Sequence, residues 1–333
     1  MLYRGTDFRP EFKKLYALKA IFPTLPVLAV TATATPSTTK MISQDLAMSN
    51  YRLVKESPDR PNLFLDRKTR LDTWYGNTSY EEILMPIAQS LKVKREMYPL
   101  TIIYMRFQYC GFAYRLFERT LKGNQQYVDY KPKPKNRLFA QFHKMTTQAM
   151  KCEILYEITS SQSNARVIFA TTALGMGVNA QGVERVLHIA PPSTLTAYMQ
   201  EIGRAGRHTD SQASAILYFC KSDVSKKRID DGYISREMAE YCQTSTCLRS
   251  FLLENFGFSK KKLKWCCSSC NDTISCNDID QQQPNAEIAL TQEISQDNRD
   301  MSLLELNELI VQAAQNDDEF IFCKIIDGTY KMY

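Results

Sequence analysis

Residues 166–179 read R-V-I-F-A-T-T-A-L-G-M-G-V-N, a short apolar run followed by a loop rich in threonine and glycine. An apolar run of this length between polar residues is typical of a buried strand in a parallel sheet. A loop of this composition after such a strand places hydroxyl and amide groups at the carboxyl edge of the sheet, where α/β proteins bind ligands. The stretch therefore predicts an α/β fold with a ligand loop at Thr171–Asn179.

A second apolar run, Arg185–Ile189, precedes a helical pattern that ends in Q-E-I-G-R-A-G-R, with Arg204 and Arg207 three residues apart. The arginine side chain is a rigid, always charged fork that fits phosphate oxygens. An arginine offered to a γ-phosphate from a second lobe is a known device of nucleotide hydrolysis. An isolated R-x-x-R is more often a solvated basic turn. The order strand, ligand loop, strand and basic helix end favours the nucleotide interpretation.

These two segments resemble motifs V and VI of the RecQ family of superfamily 2 DNA helicases. Four further segments resemble that family: D-F-R-P at Asp7–Pro10, A-V-T-A-T-A-T-P at Ala29–Pro36, D-R-P-N-L at Asp59–Leu63 and T-I-I-Y at Thr101–Tyr104. The resemblance covers about residues 1–276. It implies an ATP-dependent DNA helicase that moves 3′ to 5′, with ATP and Mg²⁺ between two RecA-like lobes.

The resemblance also implies residue roles. Arg207 would be the finger on the γ-phosphate, with Arg204 supporting it and Gln200 orienting it. The loop that joins nucleotide to DNA would contain Gly175, Gly177 and Asn179. Coupling to nucleic acid is expected from Thr31, Thr33, Thr35, Phe8, Arg9 and Arg106. For any one of these threonines, helix capping is the plain alternative.

Two motor segments are missing from the sequence as given: it contains no G-x-x-x-x-G-K-[ST] loop and no D-E-x-H. A helicase motor uses these segments to hold the β- and γ-phosphates and Mg²⁺. In the family both precede the D-F-R-P segment, which here begins at Asp7. We therefore interpret the sequence as an N-terminally truncated motor and expect that this chain alone does not hydrolyse ATP.

The chain divides into four expected segments. They are the remnant of a first RecA-like lobe (1–57), a complete second RecA-like lobe (58–225), a helical, cysteine-rich module (226–276) and an acidic tail (277–333). The tail contains an amphipathic helix pattern at Leu303–Ala314. Within the second lobe, K-P-K-P-K at Lys131–Lys135 predicts an extended, exposed basic loop.

Charge is unevenly distributed. Residues 277–333 contain twelve acidic and three basic residues, a net charge of −9, which leaves +15 on residues 1–276 of a chain with a total charge of +6. A basic body favours a polyanion partner, here single-stranded or forked DNA, and the acidic tail is a candidate site for a protein partner. The absence of a signal core or long apolar run predicts a nuclear protein, or a cytoplasmic one in a prokaryote. Two alternatives are a non-catalytic nucleic-acid-binding or regulatory module and an RNA helicase of the same superfamily.

Six of the ten cysteines lie within residues 242–276. Cys267 and Cys270 form a C-x-x-C pair, the spacing with which two thiolates bind one tetrahedral Zn²⁺. The family has a Zn²⁺ module here, and its ligand pattern matches Cys247, Cys267 and Cys270. Thr273 stands at the position of the last ligand, so Cys276 is the expected replacement. Cys266 competes with Cys267 and Cys242 competes with Cys276, while unliganded thiols are the plain alternative.

Overall fold

The computed structural model describes residues 16–22, 27–31, 34–48, 51–159, 163–175, 180, 182–207, 211–259, 263, 265–270 and 319–323. These residues fall into two compact units. The first contains the described residues before Asp59, together with Asn255–Phe258 and Glu319–Cys323. The second contains Asp59–Glu254 and the described residues from Ser259 to Cys270. The four segment boundaries expected from the sequence remain predictions.

The second unit is built on six parallel strands in the order β3-β8-β7-β4-β6-β5. The strands are β3 (Leu63–Thr69), β4 (Thr101–Tyr104), β5 (Phe139–Phe142), β6 (Val167–Ala170), β7 (Arg185–His188) and β8 (Ala213–Phe219). Every residue of β4, β6 and β7 is buried, as expected where helices cover both faces of a parallel sheet. The sheet confirms the predicted α/β class with a RecA-like arrangement.

Four helices connect strands of the second unit in the described residues: α3 (Asn77–Lys94), α4 (Phe107–Leu121), α5 (Gln148–Thr159) and α6 (Leu195–Ile202). Three more follow β8: α7 (Lys226–Asp230), α8 (Arg236–Gln243) and α9 (Leu248–Asn255). In α4 the buried side chains recur every three or four residues, which gives the helix one apolar face. From that face, the Phe117 ring packs 4.9 Å from the Phe169 ring of β6 and 5.6 Å from the Phe139 ring of β5.

The strands predicted on either side of the ligand loop are present with slightly different ends. The strand expected at Arg166–Ala170 begins at Val167, and that expected at Arg185–Ile189 ends at His188. The T-I-I-Y segment at Thr101–Tyr104, singled out by its resemblance to the family, is β4 in the structure. Local apolar patterning was sufficient to find β6 and β7.

The first unit contains α1 (Tyr16–Ile21), β1 (Leu28–Thr31), α2 (Pro36–Asp45) and β2 (Tyr51–Lys55). A strand from the tail, β9 (Glu319–Cys323), lies between β1 and β2 and pairs with both in parallel. Strand β9 was not predicted from the sequence, although the apolar run F-I-F-C is a signal for a strand. The helix pattern at Leu303–Ala314 lies outside the described residues.

None of the helices in the described part of the chain combines the length and the apolar character that crossing a bilayer requires.

Candidate functional site

The carboxyl ends of the six parallel strands meet at one edge of the sheet. Arg70 follows β3, Arg106 follows β4, His143 follows β5 and Thr171 follows β6. The 3₁₀ turn Lys221–Val224 follows β8 at the same edge. Because helices cover the faces of such a sheet, polar side chains in these loops gather at its carboxyl edge, the usual ligand edge of α/β proteins. This edge therefore holds the first group of candidate residues.

Asp223 joins two of the arginines at this edge. Arg70 Nη2 donates to Asp223 Oδ2 at 2.6 Å, and Arg106 Nη2 donates to Asp223 Oδ1 at 3.0 Å. The backbone amide of Cys220 also donates to Oδ2, at 3.1 Å. The Arg70 and Asp223 side chains are only 1% exposed, whereas that of Arg106 is 33% exposed. Arg106, which is predicted to couple to nucleic acid, thus has one guanidinium nitrogen bound to Asp223, and its side chain is partly exposed to solvent.

The other predicted coupling residues are placed in the first unit or lie outside the description. Thr35 is the N-cap of α2, where its hydroxyl accepts a 3.2 Å hydrogen bond from the Thr38 amide. Thr31 is the last residue of β1. Thr33, Phe8 and Arg9 lie outside the described residues. For Thr35, the capping role considered from the sequence is the one that the structure shows.

The I-G-R-A-G-R segment leaves α6 in a tightly fixed loop. Gly206 has a φ of +64°, in the left-handed region that favours glycine. A Cβ atom added there would lie 3.0 Å from Asn62 Nδ2 and 3.1 Å from the Ala213 Cβ. The Gly206 amide donates to the Val183 carbonyl at 3.0 Å, and Arg60 Nη1 donates to the Ala205 carbonyl at 3.2 Å. Backbone contacts therefore fix the position of the predicted arginine finger.

A buried polar network lies beside this loop. Arg204 is only 4% exposed. Burial raises the pKa of the Tyr104 hydroxyl, and the nearby charge of Arg204 lowers it by a smaller amount. Glu201 and His188 are both buried and lie 2.9 Å apart at Oε2 and Nε2. The Tyr104 ring stacks on His188 with 4.9 Å between ring centroids. Arg204 is therefore held inside the lobe, and half-buried Arg207 is the more accessible of the two arginines.

The predicted loop glycines are only partly described. Gly175 ends the 3₁₀ turn Thr172–Gly175, which follows β6 as expected. Gly177 and Asn179 lie outside the described residues. Gln200, predicted to orient the finger, lies in the last turn of α6 and is exposed.

Four cysteine sulfurs gather in the second unit. The Sγ atoms of Cys247, Cys266, Cys267 and Cys270 all lie within 4.8 Å of one another. Cys247 Sγ is 3.6 Å from that of Cys266 and 3.7 Å from that of Cys267. A tetrahedral Zn²⁺ with Zn–S bonds of about 2.3 Å holds its sulfurs about 3.8 Å apart, so the donor set fits this ion.

The fourth member of this group differs from the sequence expectation. Cys276 lies outside the described residues, and Cys266, weighed earlier as a competitor, completes the group. Cys242 is buried in α8 apart from it, and burial raises the pKa of its thiol to about 12. Partial burial and hydrogen bonds to Cys247 and Cys267 raise the pKa of Cys270 to about 12. Without a cation, the Cys270 thiol would remain protonated at neutral pH.

Arg249 ties the cysteine turn to the start of the sheet. Its guanidinium forms an ion pair with Asp59 and donates to the carbonyl oxygens of Arg60, at 2.9 Å, and of Leu63. It also donates to the Cys266 carbonyl at 3.4 Å. Arg249 is 2% exposed and was not among the residues predicted from the sequence. The D-R-P-N-L segment is thus joined to the cysteine turn through Arg249, and Arg60 and Asn62 contact the I-G-R-A-G-R loop directly.

The K-P-K-P-K loop is exposed at all five residues, as predicted. Its backbone is extended at Lys131 and Lys133 and then forms a short 3₁₀ turn at Pro134–Asn136. Arg137 fixes its base, donating to Glu118 Oε1 at 3.1 Å and to the Tyr127 hydroxyl at 2.7 Å. The loop is therefore ordered where it joins the lobe.

Comparison with known proteins gives one family match and several long relatives. The helicase conserved C-terminal domain matches residues 101–209. An ATP-dependent DNA helicase Q-like 2 of Arabidopsis thaliana is 25% identical over 97% of this chain and 45% of its own length. An ATP-dependent DNA helicase RecQ of Haemophilus influenzae is 28% identical over 82% of this chain and 40% of its own length.

A putative ATP-dependent RNA helicase of Acanthamoeba polyphaga mimivirus is 27% identical over 80% of this chain and 46% of its own length. The chain thus spans less than half the length of these three curated relatives. The matched domain contains the predicted ligand loop and both arginines of the I-G-R-A-G-R segment. The parallel sheet and these matches make the chain similar to ATP-dependent helicases, RecQ proteins among them.

Proposed function

We propose that this chain provides the second motor lobe of an ATP-dependent DNA helicase that moves 3′ to 5′. The observation that carries the proposal is the position of the loop Arg204–Arg207. Contacts from the D-R-P-N-L segment hold this loop against the same sheet that carries the predicted ligand loop. An arginine finger must be held in place before reaction, because its benefit comes from preorganised charge. The similarity to RecQ helicases supports this role.

In this proposal each arginine has a separate task. Arg207 would contact the γ-phosphate, and buried Arg204 would support the loop from inside the lobe. Gln200, exposed at the end of α6, would orient the nucleotide side of the site. ATP with Mg²⁺, when bound, would supply the free energy for movement along DNA. The described residues fit one side of such a nucleotide site, since they contain its arginines but no phosphate loop.

Nucleic-acid binding would use the carboxyl edge and the net charge of +15 on residues 1–276. Contacts to phosphates dominate affinity when a basic surface binds a nucleic acid without reading its sequence. We expect the chain to bind single-stranded DNA, with affinity falling by orders of magnitude between about 50 and 200 mM salt. Fluorescence anisotropy with a labelled oligonucleotide measures this, and a flat salt dependence contradicts the proposal.

An RNA substrate is the second candidate, because the mimiviral relative is named as a putative RNA helicase. Competition between DNA and RNA oligonucleotides of one sequence separates the two. A preference for RNA by tenfold or more would replace DNA as the substrate.

A non-catalytic module is the third candidate, and it agrees with the missing phosphate loop. Genomic sequence upstream of Met1 decides between the module and the motor. An open reading frame that continues through G-x-x-x-x-G-K-[ST] and D-E-x-H supports the motor. An in-frame stop codon close to Met1 supports the module.

A further inference from the structure

A second basic surface lies at the amino edge of the sheet, opposite to the loops that contain Arg70 and Arg106. It is formed by Lys122–Arg137, which precedes β5, and by the 3₁₀ turn Arg95–Met97, which precedes β4. Strands β4 and β5 have four residues each, so about 13 Å of strand separates the two edges. This amino-edge surface is therefore distinct from the candidate site at the carboxyl edge.

Arg95 joins the two segments of the amino-edge surface. Its guanidinium donates to the carbonyl oxygens of Gln125, at 2.9 Å, and of Tyr127, at 2.6 Å. The guanidinium carbon also lies over the Tyr130 ring, 4.0 Å from its centre. Tyr130 is 55% exposed. The guanidinium thus supports one face of an aromatic ring that remains accessible to solvent.

The backbone of the K-P-K-P-K loop is held while its lysine side chains are exposed. The side-chain amide of Asn164 donates to the Lys135 carbonyl at 3.1 Å, and the Lys133 amide donates to the Lys131 carbonyl at 2.8 Å. Lys131 Nζ lies 3.5 Å from exposed Asp129, an ion pair of little strength in water. In the described part of the chain, no carboxylate lies within ion-pair distance of Lys133 or Lys135.

The charge balance of this surface is strongly positive. Residues 92–97 and 115–137 contain ten basic and three acidic residues, a net charge of +7. Of the adjoining elements, the start of β6 adds Arg166 and the end of α5 adds buried Glu157, one charge of each sign. Concentrated charge of one sign attracts a polyanion of the opposite sign.

Unusual backbone conformations gather on the same surface. Among the described residues, five other than glycine have a positive φ, and four of them are Arg95, Lys122, Asp129 and Tyr130. Such conformations are sparsely populated, persist only where the surrounding structure holds them, and cluster at binding sites. The contacts of Arg95 and Asn164 supply that support here.

We propose that the amino-edge surface binds a single-stranded nucleic acid, with Lys133 and Lys135 contacting phosphates and Tyr130 stacking on a base. The inference rests on the proposed nucleic-acid function and adds a contact outside the carboxyl edge. Lysines beside an accessible aromatic ring favour a nucleic acid over an acidic peptide, because a base adds stacking to the attraction between charges.

The first test combines Lys133→Gln with Lys135→Gln and measures binding of a labelled single-stranded oligonucleotide at several salt concentrations. We expect about tenfold weaker binding and a salt slope smaller by about 1.4, the value for two lost phosphate contacts on a single strand. The control combines Lys40→Gln with Arg236→Gln, which removes the same charge from exposed positions outside this surface. It should leave the salt slope unchanged.

The second test separates stacking from charge at Tyr130. Tyr130→Ala should weaken binding about tenfold through the loss of one stacked base, with the salt slope unchanged because no phosphate contact is lost. Tyr130→Phe keeps the ring and should keep the affinity. An unchanged affinity in Tyr130→Ala rejects the stacked base.

Three other outcomes overturn the inference. Unchanged affinity and slope in the double lysine variant reject the surface and leave nucleic-acid binding at the carboxyl edge intact. An equal loss in the control variant shows that net charge alone is responsible. If a labelled polyglutamate peptide binds the parent but not the double lysine variant, and oligonucleotide affinity is unaffected, the partner is an acidic protein segment. No oligonucleotide binding by the parent chain, by contrast, rejects the proposed function itself and this inference with it.

Discussion

The side-chain amide of Asn62 donates a 3.0 Å hydrogen bond to the carbonyl oxygen of Gly206, 144 residues later in the chain. The same nitrogen donates to the Ser211 carbonyl at 2.8 Å. One contact lies near the end of the I-G-R-A-G-R loop, and the other lies just before β8. Asn62 therefore fixes the loop that contains both predicted catalytic arginines.

Substitution of Gly206 by alanine should destabilise this loop. The left-handed backbone alone costs an L side chain about 1–2 kcal/mol. The new Cβ would also approach Asn62 Nδ2 at 3.0 Å, so the amide must shift and weaken its hydrogen bonds. We expect a lower free energy of unfolding for Gly206→Ala, measured by urea titration.

Gly111→Ala is the matched control for this substitution. Gly111 lies in α4, is exposed, and has no atom within 4 Å of an added Cβ. Alanine there should stabilise the helix by about 0.5–1 kcal/mol. Equal effects of the two substitutions would contradict the importance of the Gly206 backbone.

A second prediction concerns the buried ion pair between Arg249 and Asp59. Removing one partner of a buried pair leaves the other charge uncompensated and typically costs about 3–5 kcal/mol. Arg249→Met should therefore destabilise the second unit strongly and loosen the cysteine turn, because it also removes the contact to the Cys266 carbonyl. Thermal unfolding of the variant and the parent measures the loss.

Arg137→Met provides the comparison for Arg249→Met. Arg137 also pairs with a carboxylate, but its side chain is 19% exposed, against 3% for Arg249. The loss of stability in Arg137→Met should be smaller than in Arg249→Met, and it should affect the K-P-K-P-K loop rather than the cysteine turn. If Arg249→Met lost no more stability than Arg137→Met, water would be solvating the Asp59 carboxylate that is left without its partner.

The sequence predicted the parts of the site that depend on local patterns. The apolar runs of β6 and β7 and the helix before Gly203 each carry their signal in consecutive residues. Asp223 carries no such signal in K-S-D-V. Its partners Arg70 and Arg106 are 153 and 117 residues away, and only the parallel order of β3, β8, β7 and β4 brings them together. The same reason explains why Arg249 was missed, since its partner is 190 residues away.

Strand β9 shows a different kind of failure. The tail was characterised by its net charge of −9, and this average does not reflect the four apolar residues of F-I-F-C. A central strand needs only a short apolar segment, because its hydrogen bonds come from the neighbours on both sides. Average composition over 57 residues was therefore a poor guide to five of them.

The third prediction is the identity of the fourth zinc ligand. We expect one Zn²⁺ per chain, lost on substitution of Cys247, Cys267 or Cys270 by serine. The gathered sulfurs favour Cys266 as the fourth ligand, so Cys266→Ser should lose the metal and Cys276→Ser should keep it. Metal content by mass spectrometry measures each variant. Structural zinc contributes about 10–16 kcal/mol to small metal-folded peptides, so chelation should unfold the cysteine turn first.

The control for the cysteine series is Cys152→Ser, because Cys152 is free and exposed on α5. It should retain full zinc content. Zinc retained in Cys266→Ser and lost in Cys276→Ser would restore the ligand set predicted from the sequence. A parent chain without zinc would reject the site.

The last prediction concerns pH and His143, which lies after β5 at the carboxyl edge. Burial and the charge of Lys151 lower its pKa below the ordinary value. The neutral ring, whose Nε2 lies 2.8 Å from Gln141 Oε1, is therefore favoured in the folded protein. A depressed pKa adds stability that is present above about pH 6.5 and is lost as pH falls through the folded value. His143→Gln should flatten this loss between about pH 5 and 7, as measured by urea unfolding at several pH values. Lys151→Gln should raise the pKa of His143 in an NMR titration, and an unmoved resonance would contradict the assigned cause.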